Sequence, residues 1–389
     1  MARLHLLAFL LPLAVACTGS TGPTGPEGPT GPTGPQGPAG PGVDAAPGPA
    51  GAVYLISNDS GHNEVWALAR AVDGSLSAPT AYATGGTGTS ASLGDQGAVF
   101  LDAAAHQLFA VNAGSATVSM FSIASDGSLT LVGAPVAAGG AMPVSVTEHG
   151  GTVYVLDAGN ATTAPNIAGF TVGAQGLTSK DISLALSTNV AATAAAAQIS
   201  FTPDGNHLVV TEKGTGKIDT YEIGSGGAAT GPQVQTAAGG AASTPYGFAF
   251  SGNGTLLVTE AAGAVSAYAV SSTGTLTAKT TSLSTHQAAP CWMAAGSTWG
   301  WAINAGSDSV TGYDVATDGT ITLTAASGVA GTTAAKPLDA ALSADGTFLY
   351  VLDAADHAIS TFAIAADGSL DRRADFVGLP DFAEGLAAE

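Results

Sequence analysis

The stretch Ala341–Leu370, ALSADGTFLYVLDAADHAISTFAIAADGSL, decides the fold. Phe348–Leu352 and Ile359–Ile364 alternate apolar with small or polar side chains and are rich in β-branched and aromatic residues. That is the pattern of half-buried strands. A small polar turn precedes each run, and Asp367-Gly368 follows, a pair that suits a tight turn. The same arrangement recurs seven times after residue 50. In each copy a polar residue closes the second strand and Val/Ile-x-x-Phe/Tyr follows after a loop; the closing residues are Asn58, Asn112, Asp157, Glu212, Glu260, Asn304 and Asp353. Short strands repeating at this period predict an all-β, seven-bladed β-propeller of four-stranded antiparallel blades.

The first copy, Ala52–Leu76, has no innermost strand ahead of it. Elsewhere a Pro-led segment opens that strand, at Pro143, Pro245, Pro290 and Pro337. The C-terminal Leu379-Pro380…Gly385-Leu386-Ala387-Ala388 is similar. The last residues are therefore expected to supply the inner strand of blade 1 and close the ring, so that no strand edge stays unpaired there.

Residues 1–50 read differently. Met1–Ala16 carries one Arg and then the apolar run Leu4–Ala16, the pattern of a secretory signal. Leu13-Ala14-Val15-Ala16-Cys17 resembles a bacterial lipobox, so Cys17 is expected to be lipidated; cleavage after Ala14-Val15-Ala16 to release a soluble protein is the alternative. Gly19–Gly42 has Gly at every third position, usually followed by Pro, as in collagen, where only Gly fits at the axis of three polyproline-II chains. As a single chain it would be a spacer of roughly 75 Å at ~3.1 Å per residue; winding into a trimer is the other reading. The expected organisation is a signal over 1–17, a stalk over 18–50 and a propeller over 51–389. That places the protein in the cell envelope, as an outer-membrane or cell-surface lipoprotein, or else free outside the cell, with a membrane touched only through the lipid.

Of 389 residues 46% are hydrophobic, enough for a large core, and the formal net charge is −20 with only 9 Lys and Arg. No basic stripe can track a phosphate backbone, so nucleic acid is excluded as a partner. With Cys17 lipidated, Cys291 has no disulfide mate and reads as a buried core thiol beside Trp292. No zincin, P-loop, nucleophile-elbow or dinucleotide motif is present, and Gly224–Gly227 reads as a simple turn. No metal or cofactor is called for, with Ca²⁺ at the carboxylates of the strand-closing ring as a weaker idea.

In a propeller the loops after each second strand and those entering each inner strand share one face, around the channel mouth. Asn and Asp at strand ends commonly bond turn amides, which is the first reading for Asn58, Asn112, Asn304, Asp157 and Asp353; Asp157 and Asp353 are also kept as binding candidates. Glu212 and Glu260, longer and poorer as turn caps, are expected to reach the mouth as general base or cation ligand. His62, His286 and His357 fall in mouth-side loops of the neighbouring blades 1, 6 and 7. There they could bind a ligand or, as His286, move a proton. His106, His149 and His207 fall on the opposite face and are expected to be solvated.

Ser343–Asp353 with Ile359–Leu370, the TPYGFAFS run at Thr244–Ser251 and LVVTEK at Leu208–Lys213 resemble the lactonase family, propellers related to 6-phosphogluconolactonase and fungal carboxymuconate cyclase. The likeness spans residues 52–389. It implies a catalytic Glu at the position of Glu212, helped by His and Arg side chains that hold an anionic lactone. Arg is scarce here, and Ala261 stands after Glu260 where such enzymes can carry Arg. A phosphorylated sugar lactone would meet no cationic clamp. Two functions follow: a surface binding or scaffold domain for a small neutral or cationic ligand, a glycan or a surface protein; and hydrolysis of a neutral lactone through Glu212, with Glu260 or His286 assisting.

Overall fold

The computed structural model describes residues 49–389. The signal, Cys17 and nearly all of the stalk lie outside the described residues. Seven antiparallel sheets follow one another along the chain. Val99–Asp102, Pro143–His149, Ala196–Phe201, Pro245–Phe250, Pro290–Ala295 and Pro337–Leu342 are the inner strands of blades 2–7. In blades 2, 6 and 7 the outer strand is broken into two short pieces, both paired with the third strand. Strands in the founding stretch span Phe348–Asp353 and Ala358–Ile364, within a residue of expectation.

Glu384–Ala388 pairs antiparallel with Gly51–Ile56, Val53 opposite Ala388 and Ile56 opposite Glu384. Blade 1 is thus built from both ends of the described chain. Arg70 holds the seam. Its guanidinium donates to the carbonyls of Ala50 (2.8 Å) and Glu389 (3.0 Å) and to Asp345 Oδ2 of blade 7 (3.0 Å). Only 4% of the Arg70 side chain is exposed. A buried guanidinium needs several acceptors at once, and this one finds them only where the ring meets itself.

Second strands are the buried heart of each blade: Leu108–Val111, Val153–Leu156, Leu208–Val210, Leu256–Val258, Ala302–Ile303 and Leu349–Leu352 are all fully covered. Blades lock sideways through the turn between the third and outer strands. Tyr54 Oη of blade 1 donates to Gly127 O of blade 2 (3.3 Å), Tyr154 to Gly227 O (2.8 Å), and Tyr350 to Gly74 O (3.0 Å). Gly74 has φ +84, and a Cβ there would come within 2.4 Å of the Phe348 ring. The Gly of the Asp-Gly turn is therefore required twice, for its backbone and for its closeness to the preceding blade.

Candidate functional site

In blades 3 to 7 the second-strand closing residue faces the first residue of the inner strand: Asp157 opposes Pro143, Glu212 Ala196, Glu260 Pro245, Asn304 Pro290 and Asp353 Pro337. A register shift follows each pair; in four of the five the inner-strand residue is Pro, which cannot donate to the ladder. The closing side chains turn inward between strand and loop. Asn112 Nδ2 donates to Ser119 Oγ (2.8 Å) and Asn304 Nδ2 to Thr311 Oγ1 (3.0 Å), while Asp353 Oδ2 accepts from Ser360 N (3.0 Å). These are braces, but to the third strand rather than to the turn amides expected of Asn and Asp.

Glu212 and Glu260 differ from expectation in where they point. Both are buried, at 0% and 1% exposure. Glu212 Oε1 accepts from Ser187 Oγ (2.9 Å) and Thr188 N (3.0 Å), and Oε2 from Thr215 Oγ1 (2.7 Å). Glu260 accepts from Ser266 Oγ (2.7 Å), Gly239 N (3.1 Å) and Ser282 Oγ (2.5 Å). The extra methylene lets each carboxylate span to the loop that enters its own blade's inner strand, at Ser187–Thr188 and at Gly239, where hydroxyls and amides saturate it. For Glu212, burial alone would raise the pKa, but the Thr188, Thr215 and Ser187 hydrogen bonds outweigh it and hold the group below its ordinary value. Its neighbour Asp219 is raised to about 7, by burial first and by Glu212 as well. Between the two pKa values, up to about pH 7, the pair holds one charge and one proton.

Asp157 has no such brace. Both carboxyl oxygens are buried without a partner, and burial pushes the group up to about 8. Asp353 is raised to about 7, again chiefly by burial. The three mouth-side histidines stay apart in their contacts. His62 Nδ1 lies 3.4 Å from Asp59 and His357 Nδ1 3.9 Å from Asp381, while the His286 amide donates to Ser284 Oγ (3.1 Å). No hydrogen bond joins any two of them among the described residues. His207, expected in solvent, is 3% exposed beneath Gly274, with Nε2 unpaired; the third–outer turn of blade 5 covers it. Cys291 is buried as expected, and burial raises its thiol to about 11. Gly224–Gly227 forms a turn that includes a single 3₁₀ turn.

The mouth itself is occupied by the chain. Between the outer strand of blade 1 (Thr80–Ala83) and the inner strand of blade 2, residues Ser92–Gly97 dip into the channel as a plug. Gln96 binds across it: Nε2 donates to Met293 O (2.7 Å) and Oε1 accepts from Met293 N (3.0 Å), while Gln96 N donates to Ala197 O (3.0 Å) and Gln96 O accepts from Ser145 Oγ (2.7 Å). Trp292 Nε1 donates to Asp95 O (2.6 Å), Leu93 N to Glu384 Oε1 (3.0 Å), and Lys213 Nζ to Gly94 O. Gly247 is obligatory here, since a Cβ would sit 2.0 Å from Gln96 Oε1. The half-buried Lys213 faces two buried carboxyl groups, Asp95 and Glu384, with the buried Asp339 beside them, and also lies 4.4 Å above the Tyr246 ring. Burial raises Asp339 and Glu384 to about 7, and Asp95 well above its ordinary value. None of this plug was read from the sequence. The available signal was the long link from Ala83 to Val99, compared with Ser284 to Pro290.

Outside the plug lies a cleft of about 640 Å³ between blades 3 and 4. Leu93, Met142, Val190 and Lys213 line it together with Asn160, Thr162 and Asn189. Thr188, pinned by Glu212, leads directly into the Asn189–Ala192 wall. Among the described residues no group of three or more His, Cys, Asp or Glu is placed to hold a metal ion.

A seven-bladed lactonase β-propeller family model matches residues 59–381. No curated protein matches the sequence. Solved structures share the fold at low identity. A Bacteroides fragilis protein described as a candidate 6-phosphogluconolactonase has 17% identity and a TM-score of 0.66, covering 90% of this chain and 100% of its own. A Bacteroides uniformis protein with the same description has 18% and 0.70, covering 86% and 99%. A periplasmic gluconolactonase of Pseudomonas aeruginosa has 17% and 0.66, covering 86% and 98%. With the family model spanning nearly all of the propeller, the chain belongs to the lactonase family of seven-bladed β-propellers.

Proposed function

We propose that this lactonase-family propeller is a binding domain that holds a small uncharged, hydroxyl-rich ligand, such as a sugar lactone or a glycan end, in the cleft between blades 3 and 4. The observation that carries this reading is the plug. With Gln96 bonded across the channel, the cleft remains as an open concavity on the mouth face, and its amides and hydroxyls at Asn160, Thr162 and Asn189 suit neutral polar groups. Lys213 lines the cleft but is already committed to Gly94 O and the Tyr246 ring, so no free cationic clamp awaits a phosphate. Lipidation at Cys17 with display on the Gly-X-Y stalk belongs to the same proposal; mass spectrometry of the mature N-terminus tests it.

A second reading is hydrolysis of a neutral lactone. Glu212 favours it, being held ionised one residue before the cleft-lining Lys213, next to an Asp219 that burial raises to about 7. The name of the Pseudomonas aeruginosa neighbour suggests the probe, glucono-1,5-lactone, which carries no phosphate. Calorimetry and pH-stat assays with that lactone separate the readings. Binding that is lost in Asn189→Trp, with hydrolysis no faster than the spontaneous rate, supports the binding domain. Hydrolysis above that rate, lost in a folded Glu212→Gln, replaces it with the enzyme. Neither binding nor turnover removes both.

A further inference from the structure

The plug divides the channel in two, and its far side is a second concavity. Gln96 and Gly97 form the floor of a blind well of about 280 Å³ that opens toward the ends of the inner strands, on the face opposite the cleft. Its walls include Phe100, Val146, Phe248, Phe250, Met293 and Leu342. No charged residue lines it. The polar side chains on the wall are Gln96, Gln198 and Ser200, and all three are spent on backbone. Gln96 is bonded twice to Met293, Gln198 twice to Phe248 (3.0 and 2.6 Å), and Ser200 Oγ donates to Phe201 O (3.1 Å). Inner-edge amides are also tied down: Val146 N donates to Gly97 O (2.9 Å), Ile199 N to Ser145 Oγ (3.2 Å) and Phe201 N to Thr147 Oγ1 (3.3 Å).

We propose that this well is a binding site for a small, uncharged, largely apolar molecule of ring-system size, separate from the cleft and independent of its ligand. Size and wall chemistry set the class. An apolar cavity of roughly 150 Å³ takes a benzene ring, so 280 Å³ suits a bicyclic ring or an alkyl group of similar bulk. A charged ligand would surrender its hydration to walls with no free donor or acceptor side chain. The plug gives the well a rigid floor, because Gln96 is anchored to blades 4 and 6 at once.

Indole is the probe and indole-3-carboxylate its charged control, titrated by calorimetry into the intact protein. The expected result is saturable one-to-one binding of indole that weakens by roughly tenfold or more in Ala295→Phe and in Ala341→Phe, two half-buried wall positions, and in each case without loss of the cooperative thermal transition. Indole-3-carboxylate should give no saturable heat. Should either variant fail to fold, a crystal soaked in 5-bromoindole decides: bromine density in the well supports the site, and its absence from the well overturns it. Indole that never saturates, equal binding of the carboxylate, or unchanged affinity in both folded variants also overturns the proposal.

Discussion

Asp157 shows how much one missing partner matters. Its counterparts in the other blades are hydrogen-bonded, Asn304 and Asp353 to the third strand and Glu212 and Asn58 to neighbouring loops, whereas in blade 3 both of its oxygens are buried and unpaired. A carboxyl group raised to about 8 in the folded protein binds a proton there that it has already lost in the unfolded chain. Its contribution is thus complete below the unfolded pKa, near 4, and lost as pH rises through about 8. Asp339 and Glu384, at about 7, act in the same direction, so stability should decline from mildly acidic toward alkaline pH. Asp157→Asn should flatten this decline between pH 5 and 8.5 and stabilise the protein by roughly 1–3 kcal/mol at the alkaline end. Urea unfolding of both proteins across that range is the check; parallel profiles would show that Asp157 does not carry the effect. Asp345 works the other way. It is held near 2 by hydrogen bonds from Ser343 and Thr347 and by Arg70, which together overcome its burial, so its contribution appears above pH 4 and is lost on strong acidification. Residue types were legible at this scale, but their satisfaction was not. Asp157 and Asp353 look alike in sequence; Ser360 stands beside one, and nothing comparable stands beside the other.

Among elements, a tyrosine latch joins blades 1 to 2, 3 to 4 and 7 to 1. Tyr154 Oη donates to Gly227 O and accepts from Ala229 N (2.7 Å), so one hydroxyl serves two backbone groups of the next blade. Tyr154→Phe should leave both unpaired and cost about 1–3 kcal/mol, measured as a lower urea midpoint at unchanged m-value. A neutral result would mean that water takes the hydroxyl's place. The plug depends on an element from another blade. Gly247→Ala should push Gln96 out of its place, with Trp292 as the reporter: its indole N–H loses Asp95 O and its fluorescence shifts. An unchanged spectrum with retained fold would show that the Asp95 carbonyl keeps its place and the plug does not depend on Gly247. The TPYGFAFS run was readable as an inner strand, yet the reason for its glycine lies some 150 residues away in the chain, at Gln96.

Across the whole molecule, the seam of blade 1 is the point where the ring can open. Removing Gly385–Glu389 takes away most of the inner strand and one acceptor of Arg70 and exposes the edge of Gly51–Ile56. The melting temperature should fall substantially, and the exposed strand edge should promote association. Arg70→Ala tests the same seam without a deletion. Loss of a buried, multiply bonded guanidinium, leaving its acceptors unpaired, should cost about 3–5 kcal/mol. A melt within a degree or two of the parent in both variants would show that closure contributes little to stability.

Sequence alone determined the blade count, the inner strands opened by Pro and the sharing of blade 1 by both ends of the propeller. Alternation, turn residues and period are local properties that each repeat carries in full. Tertiary structure decided what the mouth is. Whether Glu212 reaches solvent depends on Ser187, Thr188 and Thr215, and whether the channel is open depends on Gln96 meeting Met293 across the axis. Those are contacts between distant segments, with burial and hydrogen bonding set by the closed ring, and no local pattern encodes them.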